Sequence, residues 1–575
     1  MLVFVGCHAR NPDIDQESSE SPPLADLLCQ TSDEFLQALK SYQPGQTIRL
    51  YPGTYQLSEP ILLKENVTII GEKTDNKEEK ITIEGHITKD KPKRSLFQVD
   101  AEDVVFVNLT INNIVDKTLR QSSHNNEKKI DDRITLNIIS GSAKLDSCSI
   151  DAGDVFGVVA SKGTQLTLKH CVLSNCLLAV KIESLASALL EDCDISQVGM
   201  GILLLSEVSS KIIDCRISEG NDGILFYPDE FYLDEKNIVS NQDHRKDKEE
   251  EELVEGTNTV LENCEIFNIN GYGLSVIGNT TPVIKNCKIH HCASTGITIF
   301  NGPSAMKHQA IFENCVIEEN EGINVRIVKA SPVFRDCTIV NAKGKKHAIN
   351  EHDRKEYERN GLIVTGSCIW VIDGGEPKFI NCQILSKYKP ELDIECLVGI
   401  GYETNAMFES CTFIGKDSES AVLLFYQWGK GLVKQCTIKD CDIEAAIVFS
   451  GANVVFEDSI FGYNKVGLVC RGNGVVSVKN CLFNDNRGGI NVLEKGEANV
   501  HHCRITHSEV AVLLDDQAKG TFENNEFSDS KMFGVIVYSE GPIVFRSNKL
   551  KNNIVHWSVQ NSGDQVQRID NEPNW

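Results

Sequence analysis

Residues 261–266 read LENCEI, 283–289 VIKNCKI, 311–317 IFENCVI, 333–339 VFRDCTI and 476–483 VSVKNCLF. One phrase underlies all five: an apolar residue, a polar one, Asn or Asp, then Cys, a variable residue, and Ile or Phe. The same column takes in Cys148, Cys171, Cys193, Cys215, Cys382, Cys411, Cys436 and Cys503, with Ser459, Asn525 and Asn548 standing where Cys is absent. Of these sixteen positions, those from Cys436 to Asn548 are spaced 23, 22, 22, 22 and 23 residues apart. Chance does not keep that register.

A period of 22 excludes the helical arrays, whose units run about 33 to 47 residues. The leucine-rich-repeat signature is missing. Apolar and polar residues alternate within each unit, as around Ile284 and Ile289 or Phe312 and Ile317, which is strand patterning. A second short strand opens on Gly157, Gly201, Gly223, Gly296, Gly322, Gly489 and Gly534. Short strands turning at Gly and Asn or Asp wind into a parallel β-helix. The expected fold is all-β: a right-handed parallel β-helix (solenoid) of about 19 coils, on the order of 90 Å long at the strand spacing, with a short N-terminal capping helix. In that frame the thirteen column cysteines are small hydrophobes that fill an inner corner. Adjacent members sit slightly too far apart for a disulfide, so reduced thiols are expected.

Residues 31–42, TSDEFLQALKSY, predict the cap: Ser32 or Asp33 starts the helix, and Phe35, Leu36 and Leu39 form its apolar face. Together with GQTIRLYPGTYQ, VTIIGE and the train of N-C-x-I and G-I-x-I coils, this resembles the pectin-lyase-like superfamily. The likeness is greatest to the repeats shared by carbohydrate-binding proteins, sugar hydrolases and F-box-associated β-helices. It implies the fold strongly and the function weakly, because the repeated residues are those that build the coil. The domain reading is a disordered tether over 1–30, cap helix and irregular first coils over 31–134, regular β-helix over 135–555, and a C-terminal tail or cap over 556–575.

Two insertions break the period, 228–256 and 342–360. The first carries eleven acidic and four basic residues between Asp229 and Glu255. Charge runs usually mark solvated loops, and loops leaving a rigid rod can carry its recognition surface. The aromatic residues Tyr227, Phe231 and Tyr232 beside Asp229, and Tyr426 with Trp428, are the candidate binding residues, since such side chains stack on sugar rings or anchor protein partners. Phe226 and Phe425 are expected in the core.

Catalytic motifs are harder to find. The resemblance implies, for polygalacturonase-like hydrolases, ordered Asn-Thr-Asp, Asp-Asp, Gly-His-Gly and Arg-x-Lys elements. The pairs Asp131–Asp132 and Asp515–Asp516 lack those partners, and the Asp-Pro-His of alginate-epimerase-like enzymes is absent. The triplets His290-His291-Cys292 and His501-His502-Cys503 suggest zinc, but neighbouring strand residues point to opposite faces, so convergence on one ion is not expected. Cys292 and Cys470 lie outside the column, with no activating base identifiable. No metal site or cofactor is expected; Ca²⁺ enters only if the protein acts on a polysaccharide.

The net charge of −25 argues against nucleic acid and would repel anionic polysaccharides unless metal ions intervened. No apolar run of about 18 residues is present, so no membrane span is expected. FVGC ending at Cys7 is close to a lipoprotein cleavage box, which would make the protein lipid-anchored or secreted if translation starts upstream. The unpaired thiols favour the cytoplasm, which is the expectation. The leading functional expectation is a non-catalytic recognition scaffold that binds a protein or glycan through a lateral face and the inserted loops. The alternative is a polysaccharide-active enzyme: a lyase, hydrolase or epimerase.

Overall fold

A computed structural model describes residues 24–73, 80–87, 95–115, 133–205, 207–228, 259–278, 280–301, 310–343, 367–387, 396–416, 421–560 and 565–573. Every strand pairing among them is parallel and joins one coil to the next. Three faces result. In the last regular coils, face I holds 453–457, 475–479, 497–501 and 519–523; face II holds 460–462, 482–484, 504–506 and 526–528; face III holds 466–470, 488–492, 510–514 and 533–537. The described residues supply twenty-one rungs to face I and nineteen each to faces II and III, so the right-handed β-helix read from the repeat is the fold.

The sequence builds each coil in the same way. Alternation places Val476, Val478 and Phe483 inside and Ser477 outside. Stacking coils then lines up like residues: Phe312, Phe334, Phe379 and Phe408 form a stacked column with centroids 4.4, 5.1 and 5.0 Å apart. Pairs of this kind contribute about 0.5–1.5 kcal/mol beyond their buried area. On the outside of face I, opposite charges alternate, as in Lys169–Glu191 at 2.6 Å, Lys285–Glu313 at 3.1 Å and Arg546–Glu523 at 3.1 Å. Such exposed pairs stabilise little, about 0–1 kcal/mol each.

The corner from face I to face II holds the cysteine column. From Ser147 onward it is always two residues long. The first is left-handed (Asn263 φ 55°, Asn286 φ 52°, Asn480 φ 54°), a conformation Asn and Asp tolerate, and the second points inward. All twenty described cysteines are free and buried. They do more than fill space, which corrects the expectation. The left-handed turn aims the inner residue's N–H along the axis, where it needs an acceptor. Asn548 supplies Oδ1 to the Asn525 N–H at 2.9 Å and donates Nδ2 to the Phe522 carbonyl at 2.8 Å, and Asn571 repeats this on Asn548 at 3.0 Å. Ser459 accepts from Cys436 N–H at 3.1 Å; the Cys503 sulfur accepts from Cys481 N–H at 3.4 Å. Cysteine is the soft version of the same hydrogen-bonding rung.

A second ladder of this kind runs down the corner from face II to face III through Cys176, Cys292, Asn320, Cys441, Asn464, Asn486, Ser508, Ser530 and Asn553, each buried. Asn464 accepts from Cys441 N–H at 3.1 Å and Asn486 from Asn464 N–H at 3.0 Å.

The ends differ from expectation. Thr31, not Ser32 or Asp33, caps the helix Ser32–Ser41: its extended backbone lets Oγ1 accept from Glu34 N–H at 3.2 Å, and Glu34 answers at Thr31 N–H at 3.1 Å. Phe35 packs edge-on against Tyr55 and seals the first coil. Residues 1–23 lie outside the described residues. Leu27–Cys29, read as tether, is a strand on Ile48–Leu50. At the other end Val555–Val559 and Val566–Ile569 are rungs rather than tail, pairing with Phe533–Val537 and Ile543–Arg546. Among the described residues no helix is long and apolar enough to cross a membrane.

Candidate functional site

Face III differs from the other two on its outward side. Two apolar clusters lie there, separate from the core. One gathers Leu178, Leu203 and Leu205 with Phe156, Met200, Leu225 and Tyr227. The other gathers Trp370, Leu424 and Tyr426 with Tyr402, Ile447 and Phe449. Trp370 alternates with Ile369 and Val371 of the core, so its indole stands on the outer side. Its ring centroid is 5.6 Å from that of Tyr426, which also meets Tyr402 at 5.7 Å and Phe449 at 6.3 Å. The Arg471 guanidinium covers Phe449 at 5.6 Å.

The interruptions of the repeat gather at the same face. Between residues 209 and 436 the segments 229–258, 302–309, 344–366, 388–395 and 417–420 each directly follow or precede a face III strand, and all lie outside the described residues. The two insertions expected at 228–256 and 342–360 fall almost wholly within them. From Ser147 onward the tight corner from face I to face II admits none.

Of the expected binding residues, Asp229, Phe231 and Tyr232 lie outside the described residues. Tyr227 is half-buried in the first cluster. Tyr426, expected as an exposed platform, is 1% exposed, because Trp370, Tyr402 and Phe449 pack around it. Trp428 is 63% exposed. It and Gln427 both take left-handed backbone, φ 63° and 44°, at a cost on the order of 1–2 kcal/mol each for residues other than Gly. Six coil steps separate Tyr227 from Tyr426, about 29 Å along one face. Phe226 and Phe425 are in the core, as expected.

A carboxyl missed by sequence reasoning stands at the upstream end. Asp222 opens the face III part of Arg216–Phe226 and pairs in register with Met200. Burial raises its carboxyl above the ordinary Asp range, opposed by the Tyr272 N–H that it accepts at 3.1 Å. A carboxyl that holds its proton more tightly than an ordinary Asp is better suited to general-acid chemistry. No local motif marks it, since its setting comes from coils 22 and 50 residues away in sequence.

Cys292 and Cys470 are buried, and burial pushes both thiols up to about 12, so neither is a nucleophile. Among the described residues no group of three or more His, Cys, Asp or Glu could hold a metal ion. The rings of His290 and His291 lie side by side: His291 is the left-handed corner residue, φ 55°, so its ring turns outward beside that of His290 while Cys292 turns in.

The family model described as right handed beta helix region matches residues 107–244, 209–384, 367–509 and 420–571. No curated protein matches the chain. Solved structures that match include the catalytic domain of a GH87 alpha-1,3-glucanase in complex with tetrasaccharides, at 11% identity over 99% of this chain and 71% of that one, TM-score 0.33. An endo-xylogalacturonan hydrolase from Aspergillus tubingensis matches at 9% identity over 69% of this chain and 95% of that one, TM-score 0.34. An alginate lyase from Paenibacillus sp. matches at 12% identity over 70% and 97%, TM-score 0.24. These are enzymes acting on glycans, and the leading expectation of a non-catalytic scaffold is withdrawn in favour of its alternative. At such identities the likeness bears on the fold alone.

Proposed function

The chain belongs to the right-handed β-helix family, and on that premise we propose that it is an enzyme acting on a glycan that lies along face III. The observation that carries this is the coincidence, on one face, of outward aromatic clusters with every interruption of the repeat between residues 209 and 436. Trp428 stacks on a sugar ring, and buried Tyr426 fixes the platform behind it. Tyr227, with Asp229, Phe231 and Tyr232 after it, contacts the other end of the substrate. Asp222 protonates the leaving glycosidic oxygen while water bonds to the anomeric carbon and gives its proton back, which leaves a new reducing end. The net charge of −25 favours a neutral glycan over a polyanion, and no resident cofactor is invoked. Twenty free thiols support a reducing, cytoplasmic setting, in which the substrate is a soluble oligosaccharide.

The test is release of new reducing ends from a panel of neutral and acidic oligo- and polysaccharides, with and without Ca²⁺. Turnover of a neutral glycan that falls about 10²- to 10⁴-fold in Asp222→Asn is expected for loss of a general acid. Silence of the folded protein across the whole panel would remove the reading.

A further inference from the structure

The edge between faces II and III carries a line of charged groups that the glycan reading does not use. The His290 and His291 Nδ1 atoms lie 2.6 Å apart, with ring planes at 77°. His290 Nε2 is 3.0 Å from Glu265 Oε1, and His291 Nε2 is 3.1 Å from Glu319 Oε2. The remaining charges around them come from five coils. Arg216 pairs with Glu265 at 3.3 Å and covers Phe267 at 5.1 Å, and Phe267 stacks on His290 at 5.4 Å. Lys288 and Lys387 pair with Glu318 at 3.2 and 3.9 Å, and Lys343 with Glu319 at 3.5 Å.

Proton counting restricts what this arrangement can be. A neutral imidazole offers one N–H and one lone pair, and an ionised carboxylate only accepts. The hydrogen bond from His290 holds Glu265 below the ordinary carboxylate range, so it stays ionised. Each Nε2 therefore donates to its glutamate. With both rings neutral, two Nδ1 lone pairs would face each other at 2.6 Å and repel. One extra proton between them turns the contact into a hydrogen bond. Burial pushes His290 below the ordinary histidine range. Its side chain is 11% exposed against 44% for its neighbour, and the extra proton lies between the two Nδ1 atoms.

We propose that His290 and His291 form a one-proton site, clamped by Glu265 and Glu319, whose deprotonation releases the corner leading into face III. His291 is left-handed, and the next two amides anchor the corner: Cys292 N–H donates to Asn320 Oδ1 at 2.8 Å and Ala293 N–H to the Ile269 carbonyl at 2.7 Å. The face III strand Ile297–Phe300 follows directly. Losing the proton restores the lone-pair repulsion and swings the His291 ring away, loosening that entry.

The experiment uses the full chain with ¹⁵N-labelled histidine. At neutral pH one ring of the pair should carry both N–H protons and the other only Nε2–H. As pH rises and a single proton leaves, hydrogen-exchange protection at Cys292 and Ala293, corrected for intrinsic rate, should fall about tenfold. In His291→Gln that protection should lose its pH step. Two neutral rings at neutral pH, or protection unchanged through the titration, would overturn the proposal. So would one equivalent of Zn²⁺ shifting both Nδ1 resonances at micromolar concentration, because the occupant would then be a metal ion.

Discussion

Replacing Asn548 by Ala and, separately, by Ser measures what the inner corner ladder contributes. Asn548 is fully buried. Alanine leaves the Asn525 N–H and the Phe522 carbonyl without the partners they have at 2.9 and 2.8 Å. Each buried polar group so abandoned costs about 1–3 kcal/mol, giving about 2–6 kcal/mol in all. Serine leaves nearly the same cavity but keeps an oxygen, and Ser459 already does this work in another coil, accepting from Cys436 N–H at 3.1 Å and donating to the Val433 carbonyl at 3.3 Å. The Ser variant should therefore recover at least about 1–2 kcal/mol of that loss. Urea unfolding gives the global value. A solenoid can open coil by coil, so native-state hydrogen exchange over residues 519–528 should accompany it. If Ala and Ser proved indistinguishable by both measurements, the ladder would be mere packing and the account of Cys, Ser and Asn as equivalent rungs would fail.

Burial raises Cys148 to about 11 and Cys176 to about 12, so a thiol reagent at pH 8 should label none of the twenty described cysteines of the native chain; rapid labelling of any of them would contradict the buried ladders. A Cβ on Gly451, whose φ is +77°, would come 2.7 Å from Trp428 Cδ1. Gly451→Ala should displace the indole, shift its fluorescence and weaken glycan binding about tenfold, roughly the 1.4 kcal/mol of a good aromatic contact; unchanged binding would exclude Trp428 from the site. Because the folded state raises the Asp222 carboxyl, its ionisation costs stability as pH climbs from the ordinary Asp range through the folded value. Asp222→Asn should thus gain stability relative to wild type over that window and stay level above it; a pH-independent difference would refute the raised carboxyl. Thr31→Ala should cost about 1 kcal/mol by loss of the capping box, read as a lower thermal midpoint; no change would mean the helix does not seal the first coil.

The first ladder was legible because one residue type, Cys, recurs at a fixed step behind Asn or Asp. The second was not, because Cys176, Asn320, Asn464 and Ser508 share a geometry rather than an identity, and the left-handed residues before them include Glu319, Tyr463 and His507. Strand alternation gave the wrong answer at His290 and His291 because that rule ends at a corner, where one positive φ puts both rings on the same side. Tyr426 and Trp428 were found from their aromatic character, but which is buried and which exposed depends on Trp370, 56 residues away in sequence. Asp222 carried no signal at all: its raised carboxyl is a property of its neighbours in space.

The two-residue corner between faces I and II has a practical meaning for anyone who would modify this protein. From Ser147 onward, with its inward groups bonded from coil to coil, that seam cannot accept added chain without unzipping its neighbours, whereas the ends of face III already interrupt the repeat at five places between residues 209 and 436. An epitope, a reporter peptide or an altered recognition loop belongs at 417–420 rather than beside Ser459, and grafts placed there can be exchanged as cartridges on an unaltered chassis.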